Sequence, residues 1–245
     1  MRSRTSPLLA ELHAHTTWSD GVFSVGEVVD IYGSRGFDVL AITDHVVRSD
    51  DPWLDPEEWG DRGVRANVHA AYLAEITRET ARARRRYDML VLPGVELTYN
   101  DLDPDVAAHA VAVGLDTFVS VDGGIGDAMR HARALGAAVM GAHPFDHDET
   151  PGNPARLTRA FASHPELRDD VHRFELFNRS TLFGWVSREG LATVATGDFH
   201  RLEHFPGWKT LLPCARSADA VVDYLRSRKP TYLVRIDDQG AQLAA

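Results

Sequence analysis

Imidazole and carboxylate groups recur in this chain where apolar runs stop. His13 and His15 stand two residues apart after the apolar run 7–12. That spacing puts both rings on one face of an extended segment, so they can converge on a point beyond its end. Asp20 follows in a polar Ser19-Asp20-Gly21 turn, from which a carboxylate can fold back towards the same point. Further on come Thr43-Asp44-His45, Gly94-Val95-Glu96, Ala142-His143-Pro144 and Gly197-Asp198-Phe199-His200. A His-x-His pair by itself is read equally well as a polar strand end; the series as a whole is a donor set. Mixed nitrogen and oxygen donors suit Zn, Mn or Fe better than Mg or Ca, which favour all-oxygen shells. There are too many donors for one ion, and with Glu96 able to bridge they suit two or three. Such ions lower the pKa of water and clamp a phosphoryl or carbonyl group, so the expected chemistry is hydrolysis.

The elements that must position these groups follow from hydrophobic periodicity. Strands are expected over 7–12, 38–42, 89–93, 107–115, 137–142, 173–177 and 192–196, with a last one over 231–234. Helices are expected over 25–34, 67–86, 126–135, 155–163, 181–189 and 218–226. The first of these has Ser24 as N-cap, Glu27 as its capping-box partner and Gly36 as its stop. Strands alternating with helices predict a parallel α/β sheet with right-handed connections. His13, His15, His45, Glu96, His143, Asp198 and His200 all fall at or just past the C-terminal ends of expected strands, where barrel enzymes assemble their sites. His69, His131, His164 and His172 scatter over helices and connections instead. His109 lies within the expected strand 107–115, and a lone histidine in an apolar strand is more often a satisfied core residue than a ligand. The aperiodic stretch 46–66, with Asp50, Asp51, Pro52, Trp53, Pro56 and Trp59, is a long loop, either a lid or a surface insertion. A second polar loop, 145–154, carries Asp146, His147 and Asp148, and a turn is expected at 206–209.

At 245 residues the chain fits one large α/β domain or two small ones, and its 44% hydrophobic content is normal for a packed core. The single cysteine, Cys214, rules out an intrachain disulfide and a cysteine zinc cluster. No run approaches the roughly 20 apolar residues of a membrane span. The run after Arg2 and Arg4 is cut by Glu11, too early for a signal peptide, so a cytoplasmic location is expected. A formal net charge of -10 argues against holding extended duplex nucleic acid, which depends on neutralising phosphates. The basic run 82–86 is read as a solvated helix end that complements the helix dipole.

The ordered series His13-Ala14-His15, Ser19-Asp20-Gly21, Thr43-Asp44-His45, Gly94-Val95-Glu96, Ala142-His143-Pro144 and Gly197-Asp198-Phe199-His200 resembles the motifs of the PHP (polymerase and histidinol phosphatase) family of metal-dependent phosphoesterases. The resemblance spans about residues 8–205. It implies a single domain over 1–245 with a loop insertion near 46–66, folded as a distorted, TIM-like (β/α)7 barrel with mostly parallel strands and a trinuclear metal site. By matching position, His13, His15, Glu96 and Asp198 would hold one ion, and Glu96, His109 and His143 a second. Asp20, His45 and His200 would hold a third, although some members carry His where this chain has Asp20. The expected mechanism is in-line attack on phosphorus by a hydroxide bridging two ions, with Glu96, Asp198 and His200 as the catalytic set. Arg48, Arg179 and Lys209 are candidates for binding a further phosphate or carboxylate, with plain surface charge as the competing reading. The expected substrate is a small phosphorylated metabolite, a nucleotide or a short oligonucleotide. An exonuclease or 3′,5′-bisphosphate nucleotidase is one alternative, a non-catalytic PHP scaffold another, and a histidinol phosphatase a third.

Overall fold

The computed structural model describes residues 6–54, 62–147 and 157–237. Strand β1 (Leu8–Glu11) pairs in parallel with β2 (Val39–Ile42), and β2 with the first half of β4 (Leu90–Tyr99). Strand β3 (His45–Val47) then pairs in parallel with the second half of β4. Strand β5 (Ala108–Val113) runs antiparallel to both β4 and β6 (Ala138–Ala142). From β6 the sheet continues in parallel to β7 (Arg173–Asn178) and from β7 to β9 (Thr193–Thr196), while β8 (Thr181–Leu182) is antiparallel to β7. Strand β10 (Gly207–Leu212) is antiparallel to β1 and to β11 (Tyr232–Ile236). Past β9 the chain bonds back to the start: the Phe199 N–H donates to the His13 carbonyl at 3.0 Å, and the His15 N–H to the Phe199 carbonyl at 2.8 Å. The sheet therefore curls into a barrel-like form, with these bonds joining the exit of β9 to that of β1.

The sheet is mixed, which corrects the expectation of mostly parallel strands. Only residues 100–107 separate β4 from β5, too few for the crossover of a dozen or more residues that a parallel return requires. Two other boundaries also differ. Strand β4 does not stop at residue 93 but passes through Pro93-Gly94 to Tyr99, because Gly94 lets β5 come close: a Cβ there would lie 2.5 Å from the Ala112 carbonyl oxygen. Residues 207–209, expected in a turn, begin β10 instead.

Helix α1 (Val25–Ser34) has the expected Ser24/Glu27 capping box. It packs with α2 (His69–Tyr87) and α3 (Ile125–Ala134) on the outer face of the sheet, where Val28, Tyr32, Tyr72 and Met129 meet Leu40, Ile42 and Val91. Helix α4 (Ala160–Ser163) and helix α5 (Gly184–Arg188) are shorter than expected. Inside the barrel Leu8, Ala10, Val39, Ala41, Val111 and Met140 pack together, and α6 (Ala218–Arg226) contributes Val221 and Leu225 to the same interior cluster. Among the described residues no helix is long and apolar enough to cross a membrane. Pro56, Trp59 and Asp148 lie outside the described residues.

Alternation along β1 puts Leu8, Ala10 and Leu12 in the interior cluster and Leu9 in the outer one, and Glu11 falls on the same face as Leu9. Its Oε1 accepts the N–H groups of Leu12 (3.0 Å), His13 (3.1 Å) and Gly197 (2.8 Å), so one buried carboxylate fixes the chain at the ends of both β1 and β9. Its Oε2 accepts from the Tyr32 hydroxyl and faces the Lys209 ammonium at 2.8 Å. Gly197 admits this pair, since a Cβ would run into both Glu11 and Lys209. Lys209 is fully buried, so it is a structural cation beneath the site and not the exposed substrate contact its sequence position suggested. Removing one partner of a buried pair strands the other charge. Lys209→Met is therefore expected to lower folding stability by about 3–5 kcal/mol, read as a lower urea midpoint; an unchanged midpoint would contradict this role.

Candidate metal centre

Glu96 is the residue on which the site converges. It sits on β4 opposite His45 of β3, and its carboxylate is fully buried. His13 Nε2 and His15 Nε2 each lie 3.4 Å from Glu96 Oε2, and His45 Nδ1 lies 2.8 Å from it. On the other oxygen, His109 Nδ1 is at 3.1 Å and His143 Nε2 at 3.2 Å from Oε1. Asp198 Oδ1 stands 3.6 Å from His13 Nε2 and 3.4 Å from His15 Nε2. Asp20 completes a further group: its Oδ1 is 3.5 Å from His45 Nε2, and its Oδ2 is 3.1 Å from His200 Nε2. The centre grades from fully buried His13 and His15 to an Asp20 side chain that is 29% exposed, so it opens at the barrel mouth.

The position of His109 follows from the reversal of β5. Because that strand runs against its neighbours, its first turn of side chains, not its last, lies at the mouth: His109 is in register with Thr98 on one side and with Ala142, just before His143, on the other. A rule that looks only at C-terminal strand ends passes over it. Asp198 and His143 are held in place at positive φ (43° and 29°), as is Arg179 (56°). Non-glycine residues in that region carry strain of the order of 1–3 kcal/mol each, which the surrounding bonds must offset.

The donors fit divalent ions. His13 Nε2, His15 Nε2 and Glu96 Oε2 are buried and make no hydrogen bond, which in a folded protein calls for a partner. Three groups bring their donor atoms within 4.8 Å of one another: His13, His15 and Glu96; Glu96, His109 and His143; and His15, Asp20, His45 and His200. Glu96 belongs to two of them and His15 to two. All nine residues singled out as ligands thus gather at one mouth, with Asp198 in contact with the first group.

The electrostatics are those of a cation site. Burial would raise the Glu96 carboxyl, but His45, His13 and His109 hold it well below the usual carboxylate range. Asp198 is likewise held low against burial by His13, His15, His200 and Arg179. Burial lowers His13, yet Glu96, Asp198 and Glu175 outweigh it and hold the ring well above its ordinary value. His15 is pushed down to about 3 by burial and by the neighbouring His200 and His45, so that ring stays neutral and ready to donate a lone pair.

Two carboxylates missed in the sequence brace this shell. Glu175 of β7 takes a contact from His13 Nδ1 at 2.8 Å and accepts the His143 N–H at 2.6 Å, the Thr196 hydroxyl at 2.6 Å and the Asn178 amide at 2.9 Å. Bonding Nδ1–H to Glu175 leaves the His13 Nε2 lone pair facing the centre, the usual carboxylate–histidine–metal arrangement. Asp44 accepts from the Thr16 N–H (2.7 Å), the Thr16 hydroxyl (2.8 Å) and the Ser19 hydroxyl (2.7 Å), shaping the turn that carries Asp20. The signal for Glu175 was present as a lone acid inside the apolar strand Arg173-Phe174-Glu175-Leu176-Phe177. Of the proposed substrate contacts, Arg179 stands at the rim with its Nη2 on Asp198 Oδ2 at 2.8 Å. Arg48 is instead tied to Asp50 (2.9 Å) and Asp101 (3.3 Å) and lies over the Tyr99 ring.

No family model matches the chain. Over 35 residues, 14% of its length, it is 49% identical to the DNA polymerase/3′-5′ exonuclease PolX of Bacillus subtilis (strain 168), and it spans 6% of that protein. The structure is similar to that of a two-domain protein from Bacteroides vulgatus ATCC 8482 containing a predicted PHP-like metal-dependent phosphoesterase. That likeness covers 97% of this chain and 71% of the other, with a TM-score of 0.64 and 19% identity. The chain has the PHP-like fold. The motif series and the fold thus agree, and in this PHP-like barrel the motif residues are the ones that meet at the mouth.

Two outcomes follow for metal binding. Glu175→Gln keeps the shape of the side chain but weakens its hold on His13, and is expected to lower Mn²⁺ or Zn²⁺ affinity by about 10–100-fold in calorimetric titration; unchanged affinity would contradict the bracing role. His13, His45 and His143 are all held above the ordinary histidine range in the metal-free chain, against burial, chiefly by Glu96. Binding must displace those protons, so affinity should rise with pH, and titrations in buffers of different ionisation enthalpy should show proton release. Affinity that is flat from pH 6 to 8 would count against it.

Proposed function

We propose that this chain is a metal-dependent hydrolase that cleaves phosphoester bonds of a small phosphorylated metabolite or nucleotide. The observation that carries the reading is the sharing of one buried carboxylate, Glu96, between two metal-competent groups at an open barrel mouth. Mn, Zn or Fe ions held there would supply hydroxide at neutral pH and offset charge on a phosphoryl group. The residues of the chain do the rest. Glu96 offers one oxygen to each group and so fixes their separation, with Asp20, His45 and His200 as a third group. Asp198, beside His13 and His15, and His200, beside Asp20, would complete the first and third groups. Arg179, anchored through Nη2 on Asp198, places a cation at the rim, where it can meet a phosphoryl oxygen. The short, highly identical match to PolX favours a second reading, hydrolysis of nucleotide or short oligonucleotide ends.

Metal-loaded chain is expected to turn over at least one of p-nitrophenyl phosphate, bis-p-nitrophenyl phosphate, a nucleoside 3′,5′-bisphosphate or a short RNA. Glu96→Gln should abolish that turnover and lower the bound-metal content measured by elemental analysis. Undiminished turnover and metal content in that variant would overturn the mechanism, and no turnover of any substrate by metal-replete protein would favour the scaffold reading.

A further inference from the structure

A cleft of about 790 Å³ begins at Val47, two residues beyond His45, and is large enough for an organic group the size of a small ligand. Its Val47 wall is continuous with the site. Strands β3 and β4 pair His45 with Glu96 and Val47 with Thr98. Side chains two apart share a face, and Thr98 Oγ1 contacts His45 Nδ1 at 2.7 Å, so that shared face is the one turned to the candidate ligands. Val47, Leu54, Val64 and Phe118 supply apolar surface, and Phe118 gives it an aromatic wall.

A second link runs through Asn100. Its Oδ1 meets His109 Nε2 at 2.9 Å, and its Nδ2 donates to Asp51 Oδ2 at 2.9 Å. Asp51 lines the cleft, so one side chain connects a cleft wall to a candidate metal ligand. Accepting from His109 Nε2–H also turns the Nδ1 lone pair of that ring towards Glu96.

The charge of the cleft is lopsided. Among the described residues, Asp50, Asp51 and Asp122 line it along with Arg48 and Arg65, three carboxylates against two guanidinium groups, and Asp101 faces Arg48 from outside the wall. Arg48 is engaged by both Asp50 and Asp101. Asp51, by contrast, is held by neutral donors, the Trp53 N–H (2.9 Å) and the Asn100 amide. Asp122 accepts the Ser49 N–H at 2.7 Å. Hydrogen bonds of this kind fix a carboxylate without cancelling its charge.

We propose that this cleft receives the leaving-group half of the substrate, and that it selects an aromatic or apolar alcohol that is uncharged or cationic over one bearing a second phosphate or a carboxylate. The inference rests on the phosphoesterase reading and deepens it: it favours monoesters of neutral or amine-bearing alcohols over bisphosphates and over the continuing anionic chain of an oligonucleotide. It also reverses the role expected of Arg48, which is neutralised in place.

The test uses the full chain and three phenols of matched size: tyramine, 4-ethylphenol and 3-(4-hydroxyphenyl)propanoate. In ligand-detected NMR competition tyramine should bind about three- to tenfold tighter than the propanoate, with 4-ethylphenol between them. The gap should shrink in Asp51→Asn/Asp122→Asn, and in the unmodified chain it should shrink as salt is raised, a reading that does not depend on the variant folding. Equal or tighter binding of the propanoate, or a gap indifferent to salt, would overturn the proposal. The corresponding aryl phosphates, offered to metal-loaded chain, should follow the same order in kcat/KM. A binding preference that holds while no ester is turned over supports the ligand class of the cleft and counts against the phosphoesterase reading instead.

Discussion

A carboxylate buried at the centre of five imidazoles is the constraint that the rest of this molecule serves. Glu96 has no exposed surface, and a charge taken out of water is costly unless it is paired. Here each partner that could compensate it is itself a metal donor, with contacts of 2.8–3.4 Å. Repulsion among imidazoles and attraction to one carboxylate balance without an ion only if some rings hold protons. Divalent cations would replace those protons with fixed positive charge, which is the exchange that the proposed metal binding implies.

Holding five rings around one carboxylate requires strand ends to be placed to within a few tenths of an ångström. Glu11 does this for β1 and β9 together, because a single oxygen accepts backbone N–H groups from both. Lys209 and Tyr32 hold its other oxygen. The backbone bonds between Phe199 and the His13–His15 segment then join the exit of β9 to that of β1, which is why residues near opposite ends of the chain, His13 and Asp198, come within 3.6 Å of one another. Glu175 crosses from β7 to fix His13, His143 and Thr196 at once. The positive φ values of His143, Arg179 and Asp198 fall within this bonded frame, so local strain and local bracing coincide.

Much of this was legible in the sequence, for identifiable reasons. A capped helix such as Val25–Ser34 announces both its ends, and Ala218–Arg226 has an amphipathic period that depends on no distant partner. The candidate ligands were legible because polar residues that interrupt apolar strand ends need a reason to be there. What could not be read was strand direction. Alternation of strand and helix suggests parallel pairing, but β5 and β10 turn back, for reasons that lie in short connections and in the close approach of Gly94 to Ala112. That gap explains why His109 looked like a core residue. Lys209 was misplaced for the opposite reason: a lysine beside an expected turn reads as exposed, and only the fold shows the buried Glu11 waiting for it. Glu175 and Asp44 brace other side chains, and residues that act through their neighbours leave little trace in local spacing.

The most direct measurement is anomalous diffraction at the manganese edge from crystals grown with Mn²⁺. Peaks are expected on both sides of Glu96, one among His13, His15 and Asp198 and one between His109 and His143, with a third among Asp20, His45 and His200. Density for manganese elsewhere on the chain, or a fully occupied crystal with Glu96 contacting no ion, would contradict a metal centre built around this buried carboxylate.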